Sequence, residues 1–138
     1  MSATFEAEIL PQLKAISRLT GEVLCHLEMH GVDARAAHHV ALVLDELLVN
    51  LGSHGNSADK PANVRIMIEA DKVRAEIRDS GPEFDIRTAP EPTLTQNIEE
   101  REIGGLGLFL VRQFACEIGY ERRGDTNHTR FAVARATA

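Results

Sequence analysis

Apolar positions along this chain follow two rhythms separated by one long break, and each rhythm predicts an element. Residues 3–10 read as a first strand ending at Pro11. From Pro11 onward Leu13, Ile16, Val23, Leu24 and Leu27 fall on one helical stripe, and Gly31 follows as a stop. Asp33 is placed to N-cap a second helix. Its inward face carries Ala37, Val40, Ala41, Leu44, Leu47, Leu48 and Leu51 before it runs into Gly52 and Gly55. The period then drops to two. Val64, Ile66, Ile68 and Ala70 alternate with polar or larger partners, and Val73, Ala75 and Ile77 do the same after Asp71 and Lys72. These segments predict a hairpin with one face on a core and the other in water.

Residues 80–104 break every pattern, with Pro82, Pro90, Pro92 and a cluster of charges. So long a connection in so small a domain is either a functional lid or a disordered excursion. A third helix is expected from Gly105, with Leu106, Leu110, Phe114 and Ile118 on one stripe. Two closing strands follow, around 118–123 and 129–135, with Gly124, Asp125 and Asn127 as the turn. Nothing divides the chain, so residues 1–138 form one domain. The expected fold is an α/β two-layer sandwich, a mixed, mostly antiparallel sheet with about three helices on one face.

Composition narrows the classes. The 138 residues are 43% hydrophobic and 26% charged, an ordinary globular balance. Fifteen basic against 21 acidic residues give a net charge of −6, which argues against direct nucleic-acid or membrane-surface binding. Aromatics are 4% with no Trp, so a base-stacking platform is not expected either. The opening MSATFEAEIL has neither the basic region nor the apolar stretch of a secretory signal, and the run Leu106–Val111 is too short to cross a bilayer. Cys25 and Cys116 lie inside apolar helical patterns and read as two reduced core thiols of a cytoplasmic protein.

Several common chemistries are missing. There is no phosphate loop ending in Gly-Lys-Ser/Thr and no nucleophile elbow. His26 and His30 are spaced like zinc ligands, but the glutamate between them is Glu28, not the neighbour of His26 that such chemistry requires. Gly105-Leu-Gly107 lacks the third glycine of a dinucleotide fingerprint and follows a loop rather than a strand.

Three features remain. Glu46 and Asn50 share a helix face beside the leucine stripe, which is either a solvated surface or a functional one. Asp79 continues the inward parity of Val73, Ala75 and Ile77, so it either caps the Ser80-Gly81 turn or holds a carboxylate for a partner. Gly104-Gly-Leu-Gly-Leu108 opens a helix, where free amides and the positive end of the helix dipole favour an anion such as phosphate; otherwise it is a hinge.

Taken together, these segments resemble the ATP-binding domain shared by histidine kinases, type II topoisomerases, the ninety-kilodalton heat-shock chaperones and MutL. The resemblance is closer to the stand-alone serine-protein kinases that act as bacterial anti-sigma factors. It rests on Asp45-Glu-Leu-Leu-Val-Asn50 with His54-Gly55, on Asp79-Ser-Gly-Pro-Glu-Phe-Asp85, and on Gly104-Gly-Leu-Gly-Leu-Phe-Leu-Val-Arg112, continuing through Tyr120-Glu-Arg122 to Asn127-His-Thr129. These stand in the family's order over nearly the whole chain.

The resemblance implies a Bergerat-type ATP-binding fold and a role for each matching residue. Glu46 would act as general base on an acceptor hydroxyl, and Asn50 would coordinate Mg²⁺. Asp79 would accept a hydrogen bond from the adenine amino group, with Gly81 leaving room for the base. His54 falls in the first motif. The amides of Gly104, Gly105, Leu106, Gly107 and Leu108 would cradle the phosphates, Thr129 would supply a hydroxyl near the adenine, and residues 84–104 would form an ATP lid. Two departures stand out. Leu51-Gly52-Ser53 replaces the usual pair after the asparagine, and Gly52 should weaken the helix end by up to ~1 kcal/mol. Glu83 replaces a frequent second glycine and adds negative charge near the phosphates.

The implied function is a Mg²⁺·ATP-dependent serine/threonine kinase phosphorylating a small anti-sigma-factor antagonist in a partner switch. The alternative is a non-catalytic ATP-binding module that sequesters a sigma factor or an antagonist. More remote is an ATP-binding fragment serving a two-component or phosphatase-linked regulator. No phosphoacceptor helix or transmembrane sensor accompanies the motifs, so a complete sensor kinase is not expected. A homodimer through Phe5, Ile9, Leu13 and Ile16 is an open alternative to those residues completing the monomer's own core.

Overall fold

The computed structural model describes residues 3–54, 60–87 and 105–136, and of residues 53, 54 and 105–109 only the backbone. In chain order the elements are β1 (Thr4–Ile9), α1 (Leu13–Met29), α2 (Ala34–His54), β2 (Ala62–Ile68), β3 (Lys72–Asp79), α3 (Gly105–Phe114), β4 (Glu117–Arg123) and β5 (Thr126–Ala134).

The corner between α1 and α2 is built as its residues demand. Gly31 takes φ 79°, a conformation that costs glycine little. Its amide donates to the Glu28 carbonyl and the Val32 amide to that of Leu27, while Val32 and Leu27 are both buried, which is the hydrogen-bond pattern of a glycine-closed helix end. Two residues later Asp33 caps α2, its Oδ2 accepting the Ala36 amide at 3.1 Å. The other oxygen accepts the Ala136 amide at 2.9 Å, tying the last described residues to the start of the helix.

The five strands run in the order β1-β2-β3-β5-β4, and all four pairings are antiparallel; no parallel pair occurs among the described residues. The expected mixture is therefore antiparallel throughout where the sheet is described. β5 enters between β3 and β4, because β4 and β5 form a hairpin and the connection through α3 carries the chain past the position that β5 takes. The turn of that hairpin is Gly124-Asp125, with Gly124 at φ 60°. Asn127 thus belongs to β5 and not to the turn, a correction with consequences below.

Strand parity separates two faces. Val64, Ile66, Val73, Ala75, Ile77, Phe131 and Val133 point into one core with Ile16, Leu19, Val23 and Leu27 of α1 and Val40, Val43, Leu44 and Leu48 of α2. The opposite face carries alternating charge across strands, as in the row Glu6, Arg65, Glu76, Arg130. Helices on one face and charged residues on the other make the α/β sandwich that the alternation predicts.

Three other expectations change. Cys25 and Cys116 are both exposed rather than in the core. Cys25 sits two residues, or about 200° around the helix, from the buried Val23, and Cys116 lies in the corner between α3 and β4. Ile118 does not extend the α3 stripe, since the helix ends at Phe114 and Ile118 packs on the core from β4. Leu13 is 74% exposed in the first turn of α1, whereas Ile16 is buried and Phe5 and Ile9 are partly buried against the core.

Candidate functional site

The inward row of the sheet turns polar at one end. Asp79, the last residue of β3, is paired across the ladder with Asn127 of β5, which is paired in turn with Arg122 of β4. One step along, Ile77, Thr129 and Tyr120 form the next row. Asp79, Asn127 and Thr129 are 7%, 3% and 7% exposed, and with Asn50 at 5% they are the buried polar residues among those described. Four polar side chains at one end of an otherwise apolar core need a reason, because each costs free energy unless it is paired.

Part of the reason is a cavity. The C-terminal part of α2 contributes Leu47, Asn50 and Leu51, the strands contribute Ile77, Asp79, Asn127 and Thr129, and the segment after β3 closes the wall with Pro82, Glu83, Phe84 and Ile86. It encloses about 100 Å³ and opens to solvent at its mouth. Its wall is mainly apolar, and its polar groups converge from three directions.

The rest of the reason is a hydrogen-bond network. Asp79 Oδ2 accepts the Gly81 amide at 2.9 Å and Asn127 Nδ2 at 3.1 Å. Asp79 therefore does cap its turn, and it does so with one oxygen. Oδ1 has no partner among the described residues. Asn127 Nδ2 also donates to the Pro82 carbonyl at 2.9 Å and the Gly81 carbonyl at 3.3 Å. Arg122 Nη1 donates to the Gly81 carbonyl at 2.7 Å and to Asn127 Oδ1 at 3.1 Å, and the Tyr120 hydroxyl donates to that same Oδ1. Burial pushes the Tyr120 phenol above its ordinary pKa. The turn after β3 is thus held from two neighbouring strands.

Asn50 is buried and lines the cavity, which removes the solvated-surface reading for that position. Glu46, one turn earlier, is half-buried and stands off the cavity wall. Burial first, and the neighbouring Asp45 second, raise its pKa above the usual glutamate value; burial raises Asp45 as well. A carboxylate raised toward neutrality is a better proton acceptor than a fully solvated one. Among the described residues no three His, Cys, Asp or Glu side chains cluster as metal ligands. The carboxamide of Asn50 is a hard donor suited to Mg²⁺, which commonly takes its remaining ligands from phosphate and water.

Gly81 is off the cavity wall and serves the turn through its amide and carbonyl. Glu83 lines the cavity, so the departure from glycine puts a carboxylate side chain at its wall. Gly52 has a local cause. An added Cβ would lie 2.3 Å from the Pro11 carbonyl oxygen, so the glycine allows α2 to pass the β1–α1 connection closely. The helix continues through it to His54.

α3 is described from Gly105 on, so the amides of Gly105, Leu106, Gly107 and Leu108 lie in its first described turn, with no acceptor among the described residues of the helix. Its other end is fixed where Phe114 stacks on His39 of α2, ring centroids 4.0 Å apart at 21°. Gly104, the His54 side chain and residues 88–104 of the expected 84–104 lid lie outside the described residues, whereas Phe84 and Ile86 of that segment line the cavity.

A family model for the histidine kinase-like ATPase domain matches residues 9–133. The chain belongs to that family. It is 32% identical over 97 residues to the serine/threonine-protein kinase BtrW of Bordetella bronchiseptica, spanning 69% of this chain and 68% of that one. It is 26% identical over 128 residues to the serine-protein kinase RsbW of Listeria monocytogenes, spanning 84% of this chain and 80% of that one. The crystal structure of the RsbU and RsbW domains of Rv1364c from Mycobacterium tuberculosis superimposes with a TM-score of 0.68 at 14% identity, over 96% of this chain and 32% of that longer one. That likeness supports the fold.

Sequence reasoning placed Asn127 in the turn and gave Tyr120 and Arg122 no role beyond the segment that carries the resemblance. A signal for Asn127 existed: counting back by two from Val133 through Phe131 and Thr129 reaches it, with inward parity.

Proposed function

We propose that this chain is a Mg²⁺·ATP-dependent serine/threonine-protein kinase of the anti-sigma type, phosphorylating a small antagonist protein in a partner switch that regulates transcription. The observation that carries the reading is Asp79: a buried carboxylate on a cavity wall, one oxygen tied to the chain and the other without a described partner. That oxygen is an acceptor for the amino group of adenine, and the mainly apolar wall of the cavity suits the ring. The two relatives, both named as serine or serine/threonine-protein kinases, point the same way.

Asn50 is the residue to hold Mg²⁺, which would neutralise charge on the phosphates. The first-turn amides of α3, with Gly104, are the expected phosphate cradle. Thr129 offers a hydroxyl near the base, and His54 closes the first motif. In the transfer, Glu46 accepts the proton of the acceptor hydroxyl as its oxygen bonds to the γ-phosphorus, and ADP leaves with the electrons of the broken bridging bond. Residues 84–104 are the proposed lid, and the proposed site of action is the cytoplasm. A homodimer and a bound sigma factor complete the reading, with the exposed Leu13 as one apolar contact for such partners.

One observation favours a second reading. Glu46 stands off the cavity wall, so a module that binds ATP and sequesters a sigma factor or antagonist without catalysis fits the same pocket. Labelled ATP incubated with the protein and a candidate antagonist separates the two. Transfer of label, lost by about 100-fold or more in Glu46→Gln while ATP affinity is kept, is the outcome expected for a general base. Tight ATP binding with no transfer to any antagonist supports the binding module instead.

A further inference from the structure

Asn127 occupies a position whose hydrogen bonds leave one orientation. The guanidinium of Arg122 can only donate, so the side-chain atom it meets at 3.1 Å must be the amide oxygen. The amide nitrogen then faces three acceptors, Asp79 Oδ2 and the carbonyls of Gly81 and Pro82. The reverse orientation would set an oxygen against a carboxylate and two carbonyls.

Both fixed donors to Asp79, the Gly81 amide and Asn127 Nδ2, meet the same oxygen, Oδ2. The terminal torsion of an aspartate is broad and nearly two-fold, so one donor alone holds it poorly. Two donors on one oxygen, with Asn127 anchored from behind by Tyr120 and Arg122, hold Oδ1 as the oxygen left for a ligand.

We propose that Asn127 is the positioning residue that sets nucleobase choice, by locking the Asp79 carboxylate so that Oδ1 is offered as an acceptor to an exocyclic amino group. This rests on the reading of Asp79 as the base-recognising residue. A 6-amino purine donates to Oδ1. A 6-oxo purine presents an acceptor to it and is rejected, because a site built to pair a donor discriminates strongly against the analogue that lacks it.

The test is calorimetric titration of the full chain with ATP and with ITP, which carries oxygen in place of the 6-amino group. Wild type is expected to prefer ATP by at least about 30-fold, and Asn127→Ala to cut that preference about ten-fold, mostly through weaker ATP binding, as expected for a charge-assisted hydrogen bond. Tyr120→Phe removes one anchor of the amide and keeps the ring, and it should cut the preference about three-fold.

Equal weakening of both nucleotides in Asn127→Ala, with the ratio preserved, overturns the proposal while leaving the reading of Asp79 intact. A wild type that binds the two nucleotides equally, or neither, removes that reading and the proposal together. If Asn127→Ala does not fold, Tyr120→Phe decides: a reduced ratio supports the lock, and an unchanged ratio overturns it.

Discussion

Two aspartates in this molecule do the same local job with opposite outcomes. Asp33, before α2, spends both oxygens on the chain: Oδ2 takes the Ala36 amide and Oδ1 the Ala136 amide. Asp79, at the end of β3, spends one. Its Oδ2 takes the Gly81 amide and the Asn127 amide, and Oδ1 has no partner among the described residues. In the first carboxylate each oxygen meets a donor of the chain. The second is held by structure and left with acceptor capacity on a cavity wall. Capping therefore does not exclude a ligand role, and the two alternatives that the sequence leaves open for Asp79 are both met by different oxygens of one side chain.

The sharpest way to break the contrast is Asp79→Asn. It keeps the shape and an acceptor for the Gly81 amide but puts an NH₂ on one side. Whichever way the amide turns, it faces either a donor of the chain or the amino group of the ligand. ATP affinity should fall about 100-fold, as for loss of a hydrogen bond to a charged group with a donor opposed to a donor. Calorimetry on a folded variant checks it; unchanged affinity would remove Asp79 from base recognition.

Next in size is Gly52→Ala, where two rules disagree on sign. Helix propensity alone favours alanine by about 1 kcal/mol. The Pro11 carbonyl oxygen, 2.3 Å from the new Cβ, is backbone and has to move. Overpacking should win and cost about 2 kcal/mol, read as a lower midpoint in urea. Because Leu51 and Asn50 are its neighbours and line the cavity, ATP affinity should drop with it. A more stable variant would show that the connection at Pro11 yields freely.

The contrast also explains what was legible. Alternation in β2 and β3, the stop at Gly31 and the cap at Asp33 are local signals, and the structure follows them. Asp79 stood out because a charge on an inward parity has no cheap local explanation. Asn127 was hidden by its neighbours. An asparagine after Gly124 and Asp125 reads as part of a turn, and only the two-residue turn actually formed puts it inside the strand, facing Asp79. The cysteines misled for a related reason. Cys25 lies among leucines in sequence but round the helix from the buried stripe, so a local apolar neighbourhood is not a buried one. Glu46 shares a helix face with Asn50, yet only Asn50 reaches the cavity, and that depends on how α2 lies on the sheet.

The smallest effect concerns acid, and there the two regions should pull in opposite directions. Amides of Ala136 and Ala36 hold the Asp33 carboxyl below its ordinary pKa. The stability this confers is complete above the unfolded value and is lost as pH falls through the lower folded one. Burial holds Glu46 and Asp45 above their ordinary values. Their ionisation in the fold is a cost, present at neutral pH and relieved as pH falls through the raised folded values toward the unfolded ones. Burial also holds His26 and His39 below the ordinary imidazole value, so their contribution falls as pH drops through that value. Against that background the α2 carboxylates gain stability as they take up protons, and Asp33 loses it below the ordinary carboxylate range. Relative to wild type, Glu46→Gln should lack part of that gain and hold a little more stability at pH 7; Asp33→Asn should lack the loss. Urea midpoints across this range for the three proteins check both signs, and a Glu46→Gln curve parallel to wild type above the ordinary carboxylate range would mean that the carboxylate beside Asn50 is solvated like any surface glutamate.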